Sequence, residues 1–265
     1  MDEVLTPNSA PAIQRRVQSG RIGWWGPLAL TPARTCLILL VQGGLAAVLW
    51  LRGNPSPWRA QAPWWTVYAT LIDVGCVLLL LWRWARSEGI RLIDLFGIDR
   101  SRLGWEALWG LALFIILFPI VVGGGATLAS RLVYGTTRLS TAASAVGLIS
   151  ARHLPRWAVY YSLSVFWLVW SPTDQAIYQA YCAARLKALT GKTWVTVSVV
   201  GFWWAFQHSM FPLVLDRRLI LYRFLQFLPL VVIVQLIYLR TRALPRLIFM
   251  QWPMDLLAAW LTLRP

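Results

Sequence analysis

The stretch ALWGLALFIILFPIVVGGGATLA, residues 107–129, contains no Asp, Glu, Lys or Arg. A hydrocarbon core about 30 Å thick, climbed at about 1.5 Å per residue, needs about 20 mostly apolar residues in helical form. The stretch meets that requirement, so the chain is expected to cross a membrane there. The same ruler, moved outward, marks Thr35 to Leu51, Pro63 to Trp82, Trp157 to Trp170, Thr173 to Leu186, Thr193 to Leu215, Phe224 to Leu239 and Leu244 to Leu263. Trp157 to Trp170 and Thr173 to Leu186 are each short for a crossing. Pro172 between them either separates two short helices or kinks one long element, because proline fits a helix's first turn and breaks its interior. The expected fold is all-α, a polytopic transmembrane helical bundle of seven or eight spans over residues 35–265, after a polar basic N-terminal segment at 1–34.

The composition points the same way. Of 265 residues, 58% are hydrophobic and 13% charged, against roughly 25% charged in an average globular domain. The balance of 25 Lys+Arg to 10 Asp+Glu gives +15, yet a nucleic-acid partner is not expected, since phosphate neutralisation needs cations on a water-soluble face. Disorder and collagen-like structure are excluded by the apolar content. The Lys and Arg residues read as loop and interface charges facing the headgroups of membrane lipids. They divide almost evenly between the two sides of an eight-span arrangement, which leaves orientation open. The 18 Trp suit interfacial belts. Cys36, Cys76 and Cys182 lie in apolar stretches without metal-ligand spacing and read as small buried residues. Asp2 and Glu3, then Pro, Ser and four arginines through Arg34, precede the first apolar segment; no cleaved signal peptide is expected, and that segment reads as an anchor. Gly43-Gly44 and Gly123-Gly124-Gly125 are expected to allow close helix approach.

Four ionisable groups remain inside the spans: Asp73, Asp174, His208 and Asp255. Such groups cost a few kcal/mol on insertion scales, so they face the bundle interior with a partner or line a wet cavity. Asp174 follows Ser171 and Pro172 with the spacing of a helix N-terminal capping box. Alternatively it belongs to a polar site. His208 can be a neutral histidine hydrogen-bonded within the bundle, Asp255 can solvate a kink at Pro253, and Asp73 reads as structural or gating.

The order of these residues carries a resemblance. Ser171-Pro172-Thr173-Asp174-Gln175-Ala176-Ile177-Tyr178-Gln179-Ala180 resembles the first signature of the CPBP family, the CAAX proteases and bacteriocin-processing intramembrane proteases also called Abi, which reads Pro-x-Glu-Glu-x-x-x-Arg. Asp174 and Gln175 stand at the glutamates and Gln179 at the Arg. After the turn Thr190-Gly191-Lys192, Trp204-Ala205-Phe206-Gln207-His208 is similar to Phe-x-x-x-His, with Trp for Phe. After a further span, Gln251-Trp252-Pro253-Met254-Asp255 stands where the family has His-x-x-x-Asn. The resemblance covers about residues 157–265.

It implies a bacterial-type plasma membrane, a peptide or a prenylated or single-span protein as substrate, and a base, ligands and oxyanion donors at Asp174, His208 and Asp255. Gln175, Gln179 and Gln251 would line the cavity. Zinc is the metal the resemblance implies, with His208 as its ligand, but Gln251 in place of histidine is a poor donor. Because most polar signature positions are substituted, the reading is a weak or inactive homologue that binds a peptide or lipid-modified segment. An active CAAX-type intramembrane endopeptidase, a carboxylate dyad of Asp174 and Asp255, and a small permease or channel subunit using Asp73 are the alternatives.

Overall fold

The computed structural model describes residues 6–137 and 154–263, and among these every regular element is helical. Asp2 and Glu3 lie outside the described residues. A short helix α1 (Ala10–Gln18) precedes α2 (Trp25–Leu51). Next come α3 (Trp65–Gly75) and α4 (Trp82–Ser87), joined without interruption by the π-helical stretch Cys76–Leu81. Likewise Phe118–Gly123 joins α5 (Leu103–Leu117) to α6 (Gly124–Tyr134). In the same way α7 (Arg156–Tyr161), α8 (Trp167–Gln175) and α9 (Ala184–Thr190) form one rod through Ser162–Phe166 and Ala176–Ala183. The chain ends with α10 (Thr193–Met210), α11 (Arg217–Thr241) and α12 (Leu244–Leu263). Three segments, Trp25–Leu51, Arg100–Tyr134 and Arg217–Thr241, are long and apolar enough to cross a membrane, which marks the chain as a membrane protein.

Successive rods run in alternate directions, as the contacts at their ends show. Where α2 begins, Asn8, Glu88 at the end of α4, Arg185 in α9 and Tyr238 near the end of α11 meet. Glu106 in α5 also bonds Arg246 in α12 at that end, at 2.9 Å. At the opposite end Thr66 meets Ser162 at 2.6 Å, Gln42 donates to the Met210 carbonyl at 2.9 Å, and Arg223 donates to the Pro212 carbonyl at 2.8 Å.

Pro172 lies inside α8, so the two short spans expected on either side of it are one continuous rod and the capping-box reading of Asp174 falls. The proline is accommodated because π-helical stretches flank α8 and the Thr173 hydroxyl donates back to the Val169 and Trp170 carbonyls, at 3.0 and 2.9 Å. The first long helix also starts at Trp25, well before Thr35, and it takes in Arg34 from the segment read as polar.

The loop-charge reading of every cation is corrected too. Arg34 and Arg185 are fully buried. Arg185 donates to Glu88 at 2.6 Å, to Asn8 at 2.7 Å and to the Ala180 carbonyl at 2.8 Å, and stacks on Tyr181. Ala180 lies in the π-helical stretch, and its carbonyl also accepts from Asn8 at 3.2 Å. Arg16 adds a second cation 3.8 Å from Glu88, and burial together with Arg185 pulls its pKa below arginine's ordinary value. The segment before α2 is thereby pinned onto α9.

Close helix approach comes from glycines other than most of those expected. A Cβ at Gly110 would stand 2.6 Å from the Arg246 carbonyl and from Phe249 Cβ, and one at Gly125 would stand 2.6 Å from the Gln226 carbonyl. Gly43, Gly44, Gly123 and Gly124 face open space. Gly110→Ala is therefore expected to lower the melting temperature in detergent by the equivalent of about 1–3 kcal/mol through overpacking against α12. Gly43→Ala is expected to leave it unchanged or raise it, since Ala favours a helix interior by about 1 kcal/mol.

Candidate functional site

The centre of the bundle is a charged triad. Arg34 of α2 donates to Asp73 of α3 at 2.5 Å and, through its other terminal nitrogen, to Asp174 of α8; all three side chains are wholly buried. The guanidinium also lies over the Trp170 ring, 3.8 Å from its centroid. A guanidinium fits this position because its planar fork serves two carboxylates while its face stacks on an aromatic ring.

Asp174 accepts from three further donors. Gln207 Nε2 reaches Oδ1 at 3.1 Å, Trp204 Nε1 reaches Oδ2 at 2.7 Å, and Gln251 Nε2 reaches Oδ2 at 3.1 Å. With Arg34 on Oδ1, each oxygen takes two hydrogen bonds. A carboxylate has about four lone-pair sites, so the protein fills them all and leaves none to draw a proton from water.

The acceptor-only character of Asp174 also fixes the amides behind it. Gln251 must turn its NH2 toward Asp174, so its Oε1 is left to accept from Gln175 Nε2 at 2.6 Å. The Oε1 of Gln175 then remains a buried acceptor without a partner. On the other branch Gln207 Oε1 accepts from the Tyr178 hydroxyl at 2.9 Å. One rung along, the Ser171 hydroxyl donates to Asp255 Oδ2 at 2.6 Å. Ser171 and Gln175 are one turn apart on α8, as Gln251 and Asp255 are on α12, so these antiparallel rods are joined by two polar rungs.

Beside the rungs lies a cavity of about 250 Å³. Gln175, His208, Arg223, Gln226, Gln251 and Asp255 supply its polar lining; Trp65, Phe118, Phe166, Trp170, Trp204, Phe211 and Phe227 supply aromatic walls. Arg223 is turned away from the centre, donating to the carbonyls of Phe211 and Pro212.

Of the residues singled out in the sequence, Gln175, His208, Gln251 and Asp255 line this one cavity. Asp174 sits behind it and bonds Gln251. His208 is stacked on Phe227, with ring centroids 4.2 Å apart, and is not among the donors to Asp174. Gln179 is buried, its amide atoms unpartnered, and it is not part of the cavity wall. Asp73 is also absent from the wall and is committed to Arg34. Among the described residues no three His, Cys, Asp or Glu side chains are grouped to hold a metal ion. His208 and Asp255 line the same cavity but with amides in place of a further imidazole or carboxylate, a set that does not fit zinc.

Sequence reasoning missed Arg34, Trp204 and Gln207. Arg34 was hidden by its place before the apolar run, though two carboxylates inside the spans, Asp73 and Asp174, call for a buried cation. Trp204 carried a readable signal, because a Trp at a Phe position adds an N–H that must find an acceptor when buried.

Arg34→Met would strand Asp73 and Asp174 as buried carboxylates. Breaking a buried ion pair from one side costs about 3–5 kcal/mol, so loss of a monodisperse peak on heating in detergent is expected well below the wild-type temperature. Adding Asp73→Asn to that variant is expected to recover part of the loss, since one stranded charge is removed. No family model, curated protein or solved structure matches the chain.

Proposed function

We propose that the chain is a multi-pass integral membrane protein with seven spans, resembling the CPBP family from about residue 157 onward, that binds a peptide or lipid-modified segment in its cavity without hydrolysing it. The observation that carries this reading is the filled coordination of Asp174, which takes a hydrogen bond at every lone-pair site. A general base needs a lone pair within reach of the water it activates, and a metal needs a ligand set that these amides do not offer. That filling speaks against the active endopeptidase reading, which takes Asp174 as its base, and the bond from Arg34 to Asp174 speaks against the carboxylate dyad.

The span number is supported by the alternating rods and by the continuity of the rod containing Pro172. Most exposed tryptophans fall at rod ends: Trp24 and Trp25 at the start of α2, Trp50 at its finish, Trp105, Trp157 and Trp194 at the starts of α5, α7 and α10, and Trp260 near the end of α12, while Trp82 and Trp109 lie one to two turns further in. Rings at those places suit the two water–lipid interfaces. The apolar faces between them would contact membrane lipids. A bacterial-type plasma membrane follows from the family resemblance alone, and so does a prenylated or single-span protein as ligand.

The test uses a prenylated tail peptide and a single-span reporter, each with a photoreactive group, in membranes containing the full chain. Crosslinks to α10 and α12 are expected, with no cleavage product above that of membranes lacking the chain. Leu230→Trp, which fills the cavity from a buried position in its wall, is expected to remove the crosslinks. A cleavage product that disappears in both Asp174→Ala and His208→Ala would restore the protease reading.

A further inference from the structure

The polar rungs give the cavity a definite sign. Starting from Asp174, hydrogen-bond direction passes through Gln251 to Gln175 and ends on an oxygen, the buried and unpartnered Oε1 of a residue in the cavity wall. The neighbouring rung ends on the Asp255 carboxylate, also in the wall, with Ser171 donating to one of its oxygens. Among the described residues, no Lys or Arg lies within ion-pair distance of Asp255. The wall therefore holds an amide oxygen without a donor and a carboxylate without a cationic partner, on two facing helices.

The guanidiniums are committed elsewhere. Asp73 and Asp174 share Arg34, and Arg223 is directed at two backbone carbonyls, so neither guanidinium pairs with Asp255. An occupant that brings a positive charge and N–H donors supplies both acceptors. The walls favour it as well, since ring faces attract a cation most strongly when it is desolvated. At about 250 Å³ the space lies just below the roughly 300–1,000 Å³ of pockets for drug-sized ligands, a size for one head group and a short length of chain.

We infer that the cavity takes a primary alkylammonium group, its N–H donors on Gln175 Oε1 and the Asp255 carboxylate and its alkyl chain along the aromatic wall. The chemistry is shared by a lysine side chain of a bound segment and by the amine of a lipid headgroup. The inference deepens the binding reading above and rests on it.

The experiment measures Trp-fluorescence titration and thermal stabilisation of the purified full-length protein with octylammonium, octyltrimethylammonium and octanol. Octylammonium is expected to bind about tenfold or more tightly than either comparator, because only it combines charge with N–H donors. Asp255→Asn keeps the shape and an acceptor for Ser171, and it is expected to weaken octylammonium about tenfold while leaving octanol unchanged. Equal affinity for octylammonium and octanol in the wild type overturns the inference and leaves the cavity reading standing; no binding by any of the three overturns both. The wild-type comparison decides even where Asp255→Asn does not fold. A lysine-bearing peptide and an ethanolamine lysolipid, run as competitors against octylammonium, then separate the two sources of the amine.

Discussion

A single guanidinium without access to water sets the terms for the rest of the molecule. Arg34 is fully buried in a helix that is apolar enough to cross a membrane, where an isolated charge is prohibitively costly. It is retained because two carboxylates and a tryptophan face converge on it from α3 and α8. That convergence ties α2, α3 and α8 into one register, so the remaining helices are placed by what is left over. Two carboxylates on one cation leave an excess negative charge, and three neutral donors from α10 and α12 close around Asp174.

The consequence for chemistry follows from the same geometry. The donors that make Asp174 tolerable in a low-dielectric interior also occupy both of its oxygens. Moving outward, each amide is polarised by the one before it. The last oxygen in that series, on a residue of the cavity wall, has no donor, so the core and the cavity wall are joined by one chain of hydrogen bonds.

Much of the architecture was legible because apolar length is a strong signal: helices at 25–51, 100–134 and 217–241 meet the physical ruler directly. Pro172 was ambiguous because a proline between two apolar runs is equally a boundary or a kink, and local π-helical geometry decided it. The candidate cavity was half legible. In-span charge found His208 and Asp255, and the resemblance added Gln175 and Gln251; the four line one cavity. The sequence could not rank Asp174 against them, because burial behind a shell of donors is a property of tertiary packing. It also could not find Arg34, since a cation near the start of an apolar run ordinarily belongs to the interface. Glycine clustering pointed rightly to Gly125 and wrongly to its neighbours, and it was silent on Gly110, which works as a contact because Arg246 and Phe249 cross it.

The substitutions relative to the pattern the sequence resembles acquire a common sense in this light. Gln175 and Gln251 stand where an ionisable glutamate and a histidine would, and Trp204 where a phenylalanine would. Each change supplies a neutral N–H, and each of those N–H groups is used: Trp204 and Gln251 on Asp174, Gln175 on Gln251. An amide, unlike a metal-binding imidazole, carries an acceptor back to back with its donor. Donating inward therefore obliges it to accept outward. Replacing ionisable groups by amides around a carboxylate accordingly transfers the site's demand for a positive partner from its centre to its wall.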